Sequence, residues 1–162
     1  MRNRFAATFA IGIAVIAVAV GAILFMQRGA RVELTGKMLK VRTAPLDEHS
    51  SVAVIDFRFA NPSYVRFVVR TVTVILEMPD GRTAEGSTVS EMDAQRLFDG
   101  LPLLGQKFNK TLVTQENIPA HSSEDRMVAA RFEVPASVLE SRKRLVLRIE
   151  DVDGPITEIS EK

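Results

Sequence analysis

Residues 5–26 form an apolar run of 22 residues with no charge and no proline. A helix rising about 1.5 Å per residue would carry this run roughly 33 Å, enough to cross a hydrocarbon core of about 30 Å. A core helix of a globular domain keeps a polar stripe toward water, and this run has none. A cleavable signal peptide has a shorter apolar region, usually about 7 to 15 residues. Ala17-Val18-Ala19 has the small residues of a cleavage site, but a cut there would leave residues 20–26 as an apolar tail. The sequence therefore predicts an uncleaved N-terminal transmembrane helix. It divides the chain into a tail at 1–4, a span at 5–26, a connector at 27–31 and a domain at 32–162.

The flanking charges nearly balance. Arg2 and Arg4 precede the run, and Arg28 and Arg31 follow it. A positive-inside count does not decide orientation, but translocated domains are largely indifferent to their own charge. The dense positive cluster on the short tail then predicts a cytoplasmic N terminus. The domain is expected outside the cytoplasm, in the bacterial periplasm or its equivalent. All 20 acids lie beyond residue 31, where 17 of the 21 Lys and Arg residues meet them, a net charge of about −3. That balance argues against a nucleic-acid partner, which needs a concentrated basic face. Cysteine is absent, which removes disulfides, thiolate nucleophiles and cysteine metal sites together.

Beyond the connector the pattern is that of strands. Val32 and Leu34 are apolar at even positions and Leu39 and Val41 at odd ones, which predicts a bulge at Thr35-Gly36. Residues 51–60 alternate, with Ala53, Ile55, Phe57 and Phe59 on one face and Asp56 and Arg58 on the other, until Asn61-Pro62-Ser63 ends the strand. Residues 64–78 change parity at Arg70-Thr71, as one bent strand or two short ones would, and Pro79-Asp80-Gly81 is a hairpin turn. Ser90 stands three residues before Asp93 and Gly100 follows Leu97 and Phe98, which predicts a short helix with Ser90 at its N-cap and Gly100 just past its end. Further strands are expected at 110–116, 126–134, 144–152 and 156–159, with a helical turn at 135–140. Seven or eight strands and one short inserted helix, with no strand-helix-strand repeat, argue for a two-sheet β-sandwich.

Phe57-Arg58-Phe59-Ala60-Asn61-Pro62-Ser63, the bent strand, Asp80-Gly81 and Ala84-Glu85-Gly86, with the later Ile118-Pro119-Ala120-His121-Ser122, give residues 32–152 a likeness to a known family. This stretch resembles the late-embryogenesis-abundant type 2 domain. The resemblance implies an immunoglobulin- or fibronectin III-like Greek-key β-sandwich, often behind one membrane helix, with roles in stress protection and membrane-associated binding. It transfers no catalytic residues. The helix and the loop at 101–105 look like an insertion relative to that family.

Candidate sites are few. His121-Ser122-Ser123-Glu124-Asp125 holds the residue types of a hydrolytic triad, but neighbours along a chain seldom converge, so solvated turn residues are expected. His49 is read in the same way. Glu150-Asp151-Val152-Asp153-Gly154 lacks the ligand spacing of a calcium loop and reads as a strand running into a turn. Arg142-Lys143-Arg144, with Arg148, is a solvated basic turn or a contact for an anionic headgroup or acidic partner. The apolar segment Leu97, Phe98, Leu101, Pro102, Leu103 and Leu104 is the candidate partner-binding loop. Either it caps one end of the sandwich or it exposes an apolar patch. Ala6, Ala10, Ala14, Ala17 and Gly21 form a candidate helix-packing face. The expected protein is an anchored binding or structural module with a membrane, a protein partner and self-association open to it, and with neither catalysis nor a cofactor. The alternative is a small accessory subunit of a larger membrane complex.

Overall fold

The computed structural model describes residues 2–28 and 33–161, in two units, Met1–Arg31 and Val32–Lys162. In the first, α1 (Arg2–Arg28) is one helix, as a run free of proline permits. Its described side chains, Phe9 and those of 11–23, are all exposed. Among the described residues no helix is long and apolar enough to cross a membrane. Residues 11–23 rise only about 20 Å, and most side chains that would extend them to 5–26 lie outside the described set.

The second unit contains β1 (Thr35–Pro45), β2 (Ser51–Ala60), β3 (Phe67–Glu77), β4 (Thr83–Thr88), α2 (Glu91–Gly100), a 3₁₀ turn (Pro102–Leu104), β5 (Asn117–Ile118), β6 (Ser123–Phe132), α3 (Ala136–Glu140), β7 (Arg144–Asp151) and β8 (Ile156–Ser160). The strands pair antiparallel in the order β1-β2-β6-β4-β3-β7-β8, with β5 beside β3. This is an all-β sandwich with one inserted helix, α2, and a single helical turn, α3. β4 belongs to both layers, since Thr83–Gly86 pair with β3 while Ser87 and Thr88 pair with β6. The change of layer falls at Gly86, where a Cβ would stand 2.6 Å from the Phe132 ring. On the far side β1 meets β8: Leu34 N donates to Thr157 Oγ1 at 2.9 Å.

Ala53, Ile55, Phe57 and Phe59 of β2 face Phe67, Val74, Leu76, Phe132, Leu145 and Leu147 in the main core. The parity change in β3 is a register shift between Val69 and Thr71. It keeps Phe67 and Val69, and then Val72, Val74 and Leu76, on the same core. β2 is buried on its other face too. Val52 and Val54 join Ala44, Met127 and Ala129 beneath Ala94, Phe98 and Leu104 in a second apolar cluster.

Four local expectations are corrected. The bulge in β1 lies between Met38 and Lys40, not at Thr35-Gly36, because Met38 still packs on the core in the even register and Leu39 is left exposed. Residues 110–116 do not form a strand. Thr111 makes one parallel bridge to Met127, and Gln115, at φ 64°, turns the chain. β6 begins at Ser123, three residues before the expected start, by pairing its polar first residues with Ala60, Phe59 and Arg58. Gly100 is the last residue of α2, and Leu101 caps the helix by donating its N–H to Leu97 O.

Candidate functional site

The site grows from α2. Ser90 Oγ accepts from Asp93 N at 3.1 Å and donates to Asp93 Oδ2 at 2.8 Å, so the first turn is capped as the spacing requires. The helix then directs Ala94 and Phe98 onto the outer face of β2 and β6 and leaves Met92 in solvent.

Across that face runs a buried ion pair. Arg42 on β1 donates through Nη2 to Asp56 Oδ2 on β2 at 2.6 Å, and both side chains are almost wholly buried. Nη1 of Arg42 donates to Leu104 O at 2.6 Å and to Gln106 O at 2.7 Å. Asn109 Nδ2 donates to Asp56 Oδ1 at 2.8 Å. The guanidinium carbon lies 4.9 Å from the Phe98 ring centroid and 5.6 Å from that of Phe108. A strand pair thus holds the segment after α2 by its own backbone carbonyls. Charge burial is tolerated because most donors and acceptors are used. Among the described residues, Arg42 Nε alone in this pair lacks a hydrogen-bond partner.

A second clasp closes the loop. Glu91, the first residue of α2, accepts from Lys107 Nζ and, at 2.8 Å, from Thr111 N. Partial burial works against the charge of Glu91, but the hydrogen bonds from Lys107 and Thr111 outweigh it and hold the carboxyl at about 2.

Between α2 and the sheet lies a cleft of about 420 Å³ lined by Leu46, Val52, Val89, Leu97 and Leu101, with Asp93, Arg96 and Arg131 also on its walls. Its mostly apolar lining, with a few charged groups, is the composition of a ligand- or peptide-binding recess. The six residues of the candidate loop divide three ways. Leu97 and Leu101 line the cleft, Phe98 and Leu104 are buried in the second apolar cluster, and Pro102 and Leu103 face solvent. The buried pair covers the outer face of β2 and β6 rather than one end of the sandwich, and Pro102 and Leu103 are left uncovered beside it.

The remaining candidates do not converge. Ser122 Oγ donates to Pro119 O at 2.7 Å, while the His121 ring meets Tyr64 edge-on at 4.5 Å. His49 N is held by Asp47 Oδ1 in a tight turn. Among the described residues no group of three or more His, Asp or Glu is arranged to hold a metal ion. Arg142 pairs with Glu161, and Arg144 and Lys143 with Glu77, so the basic turn has its counter-ions within the domain. Ala14, Ala17 and Gly21 are exposed; the side chains of Ala6 and Ala10 lie outside the described set.

Sequence reasoning missed Arg42, Asp56, Glu91, Lys107 and Asn109. One signal was present: Val52, Val54, Met127 and Ala129 are apolar on the face expected to meet water, which requires a cover.

Searches of family models and of curated proteins found no match. Among solved structures, the chain is similar to an uncharacterised β-sandwich protein from Clostridium difficile 630, with 14% identity and a TM-score of 0.43 over 80% of this chain and 86% of that one.

Proposed function

We propose that the protein is a single-pass membrane protein, anchored by residues 5–26, whose extracytoplasmic sandwich is a binding or structural module without catalytic activity. The observation that carries this reading is α1. Its described residues 11–23 are uniformly apolar and uncovered, a surface that water disfavours and lipid accepts. The sandwich is proposed to have immunoglobulin- or fibronectin III-like Greek-key connections and kinship with type 2 late-embryogenesis-abundant domains. The antiparallel pairing, with β2 beside β6 and β3 beside β7, supports that reading. The cleft beneath α2 is the proposed recognition site, for an apolar side chain or acyl group flanked by charge.

Alkaline carbonate extraction of membranes, followed by protease treatment of spheroplasts and of inverted vesicles, tests the anchor and its direction. The chain should stay in the pellet, and its domain should be digested only where the extracytoplasmic face is exposed. Release into the supernatant would refute anchoring, and digestion in inverted vesicles alone would reverse the orientation. The accessory-subunit reading is favoured by the uncovered small residues Ala14, Ala17 and Gly21. It predicts that the detergent-solubilised chain migrates with a large complex, and that Gly21→Leu releases it.

A further inference from the structure

The chain enters the sandwich at Leu34, and the strand registers fix which loops share that end. Thr35 pairs with Ala60, and Ala60 with Ser123; Phe67 pairs with Ile118, and Glu150 with Ile156. The β2–β3 loop at 61–66 and the β7–β8 turn at 152–155 therefore flank Leu34. They carry Tyr64, 90% exposed, and Val65 and Val152, which with Ile156 at the start of β8 are each about half exposed. Tyr64 is the only tyrosine of the chain.

This apolar tip is built rather than loose. Asn61, 1% exposed, donates through Nδ2 to Val65 O at 2.9 Å and Pro119 O at 3.1 Å, and its Oδ1 accepts from Ser63 N at 3.1 Å. His121, at φ 53°, braces the Tyr64 ring and donates its N–H to Ser63 O at 3.3 Å. Val152 N donates to Val68 O at 3.0 Å, tying the second turn to the start of β3. Asn61 spends its amide on holding Tyr64 and Val65 away from the core.

We propose that this end of the sandwich rests in the headgroup region of the bilayer that holds residues 5–26, with Tyr64 and Val65 as its leading contacts. The proposal rests on the anchored reading above. Since α1 runs to Arg28, only residues 29–33 separate it from Leu34, a reach of at most about 18 Å, so a membrane-embedded run keeps this end near lipid. Tyrosine favours the interfacial zone, where its ring is half desolvated and its hydroxyl stays wet. Arg66 is exposed beside it, and its stem can reach up to a phosphate. Glu33 and Asp153 are exposed at the same end, so the tip is not a basic patch. The contact is apolar and interfacial, and zwitterionic lipid suffices for it.

The chain has no tryptophan, so Tyr64→Trp and Glu48→Trp each introduce a single reporter. Glu48 lies in the exposed β1–β2 turn, at the opposite end of the ten-residue β2, about 33 Å away along the strand. Each full-length variant is reconstituted into phosphatidylcholine vesicles and floated on a gradient, and emission is compared with vesicles brominated on the acyl chains. Tyr64→Trp should lose about half its emission to bromine, as an interfacial indole does, while Glu48→Trp should lose almost none. A floating chain whose Tyr64→Trp emission ignores bromine overturns this inference and leaves the anchor standing. Blue-shifted emission without quenching would assign the tip to a protein contact and overturn it as well. A chain that does not float refutes the anchored reading itself, and the inference with it. Tyr64 is so exposed that Tyr64→Trp should melt with the wild type, which checks that the fold is intact.

Discussion

Asp56 stands in a strand otherwise almost wholly apolar, and its burial makes sense only with Arg42 reaching it diagonally from β1. Removing one partner of such a pair leaves an uncompensated buried charge. Asp56→Ala should therefore cost about 3 to 5 kcal/mol, whereas the double change Arg42→Met with Asp56→Leu should cost far less. Urea unfolding of the solubilised chain measures both. Equal losses in the two variants would show that the pair acts through more than charge balance. Asn61 is a second residue of this kind. Its sequence context announced the end of a strand, but the three carbonyls at Val65, Ile118 and Pro119 that its amide reaches are up to 58 positions away.

At the scale of elements, α2 and the segment behind it depend on charge, and the pH dependence follows. The carboxyl of Glu91 sits at about 2 in the fold, against an ordinary 4.5. A depressed carboxylate stabilises the fold above its unfolded value and loses that contribution as pH falls toward its folded one. The clasp to Lys107 and Thr111 should therefore loosen between about pH 4.5 and 2, and Glu91→Gln should remove that part of the pH profile, as followed by hydrogen exchange at Thr111. Glu77, held low by the hydrogen bond from Arg144, and Asp125, held low by that from Arg58, carry the same sign. The apolar loop gives a sharper contrast. Leu104→Ala should destabilise by about 2 to 5 kcal/mol, since it empties a buried site, while Leu103→Ser should change stability by less than about 0.5 kcal/mol. If Leu103 is a contact for a partner, Leu103→Ser should still reduce recovery of that partner from membranes by affinity capture. The pair Leu103 and Leu104 cannot be read as one feature, because a 3₁₀ turn sends adjacent side chains in different directions.

At the scale of the whole molecule, the closure of the sandwich turns on one residue at the β4 corner. Gly86→Ala would drive a methyl into Phe132, so the thermal transition should fall by several degrees, equivalent to about 1 to 3 kcal/mol. Calorimetry of the intact chain checks it, and an unchanged midpoint would mean that Phe132 can swing aside.

Strand positions were legible where apolar residues alternate along the chain and turn residues bound the run. β2 and β8 lie almost where alternation places them, and the parity change in β3 is the register shift at Val69 and Thr71. Legibility failed where burial is set by a distant cover. Val52 and Val54 are core because α2 lies on them, and residues 110–116 are tied to the sheet by one backbone bridge to Met127 and by the Glu91 clasp on Thr111 rather than by a continuous ladder. The sequence by itself determined the apolar run at 5–26, the helix cap at Ser90, the turns and the β class, since each is a local or periodic property of neighbouring residues. Only the tertiary structure decided that Arg42 meets Asp56 and clasps the loop, that Leu97 and Leu101 line a cleft while Leu104 is buried, and that Tyr64 stands at the end where the chain enters. The pairings of Arg42 alone span 14 to 64 positions; such contacts are chosen by the register of strands and the burial of charge, and no local pattern encodes them.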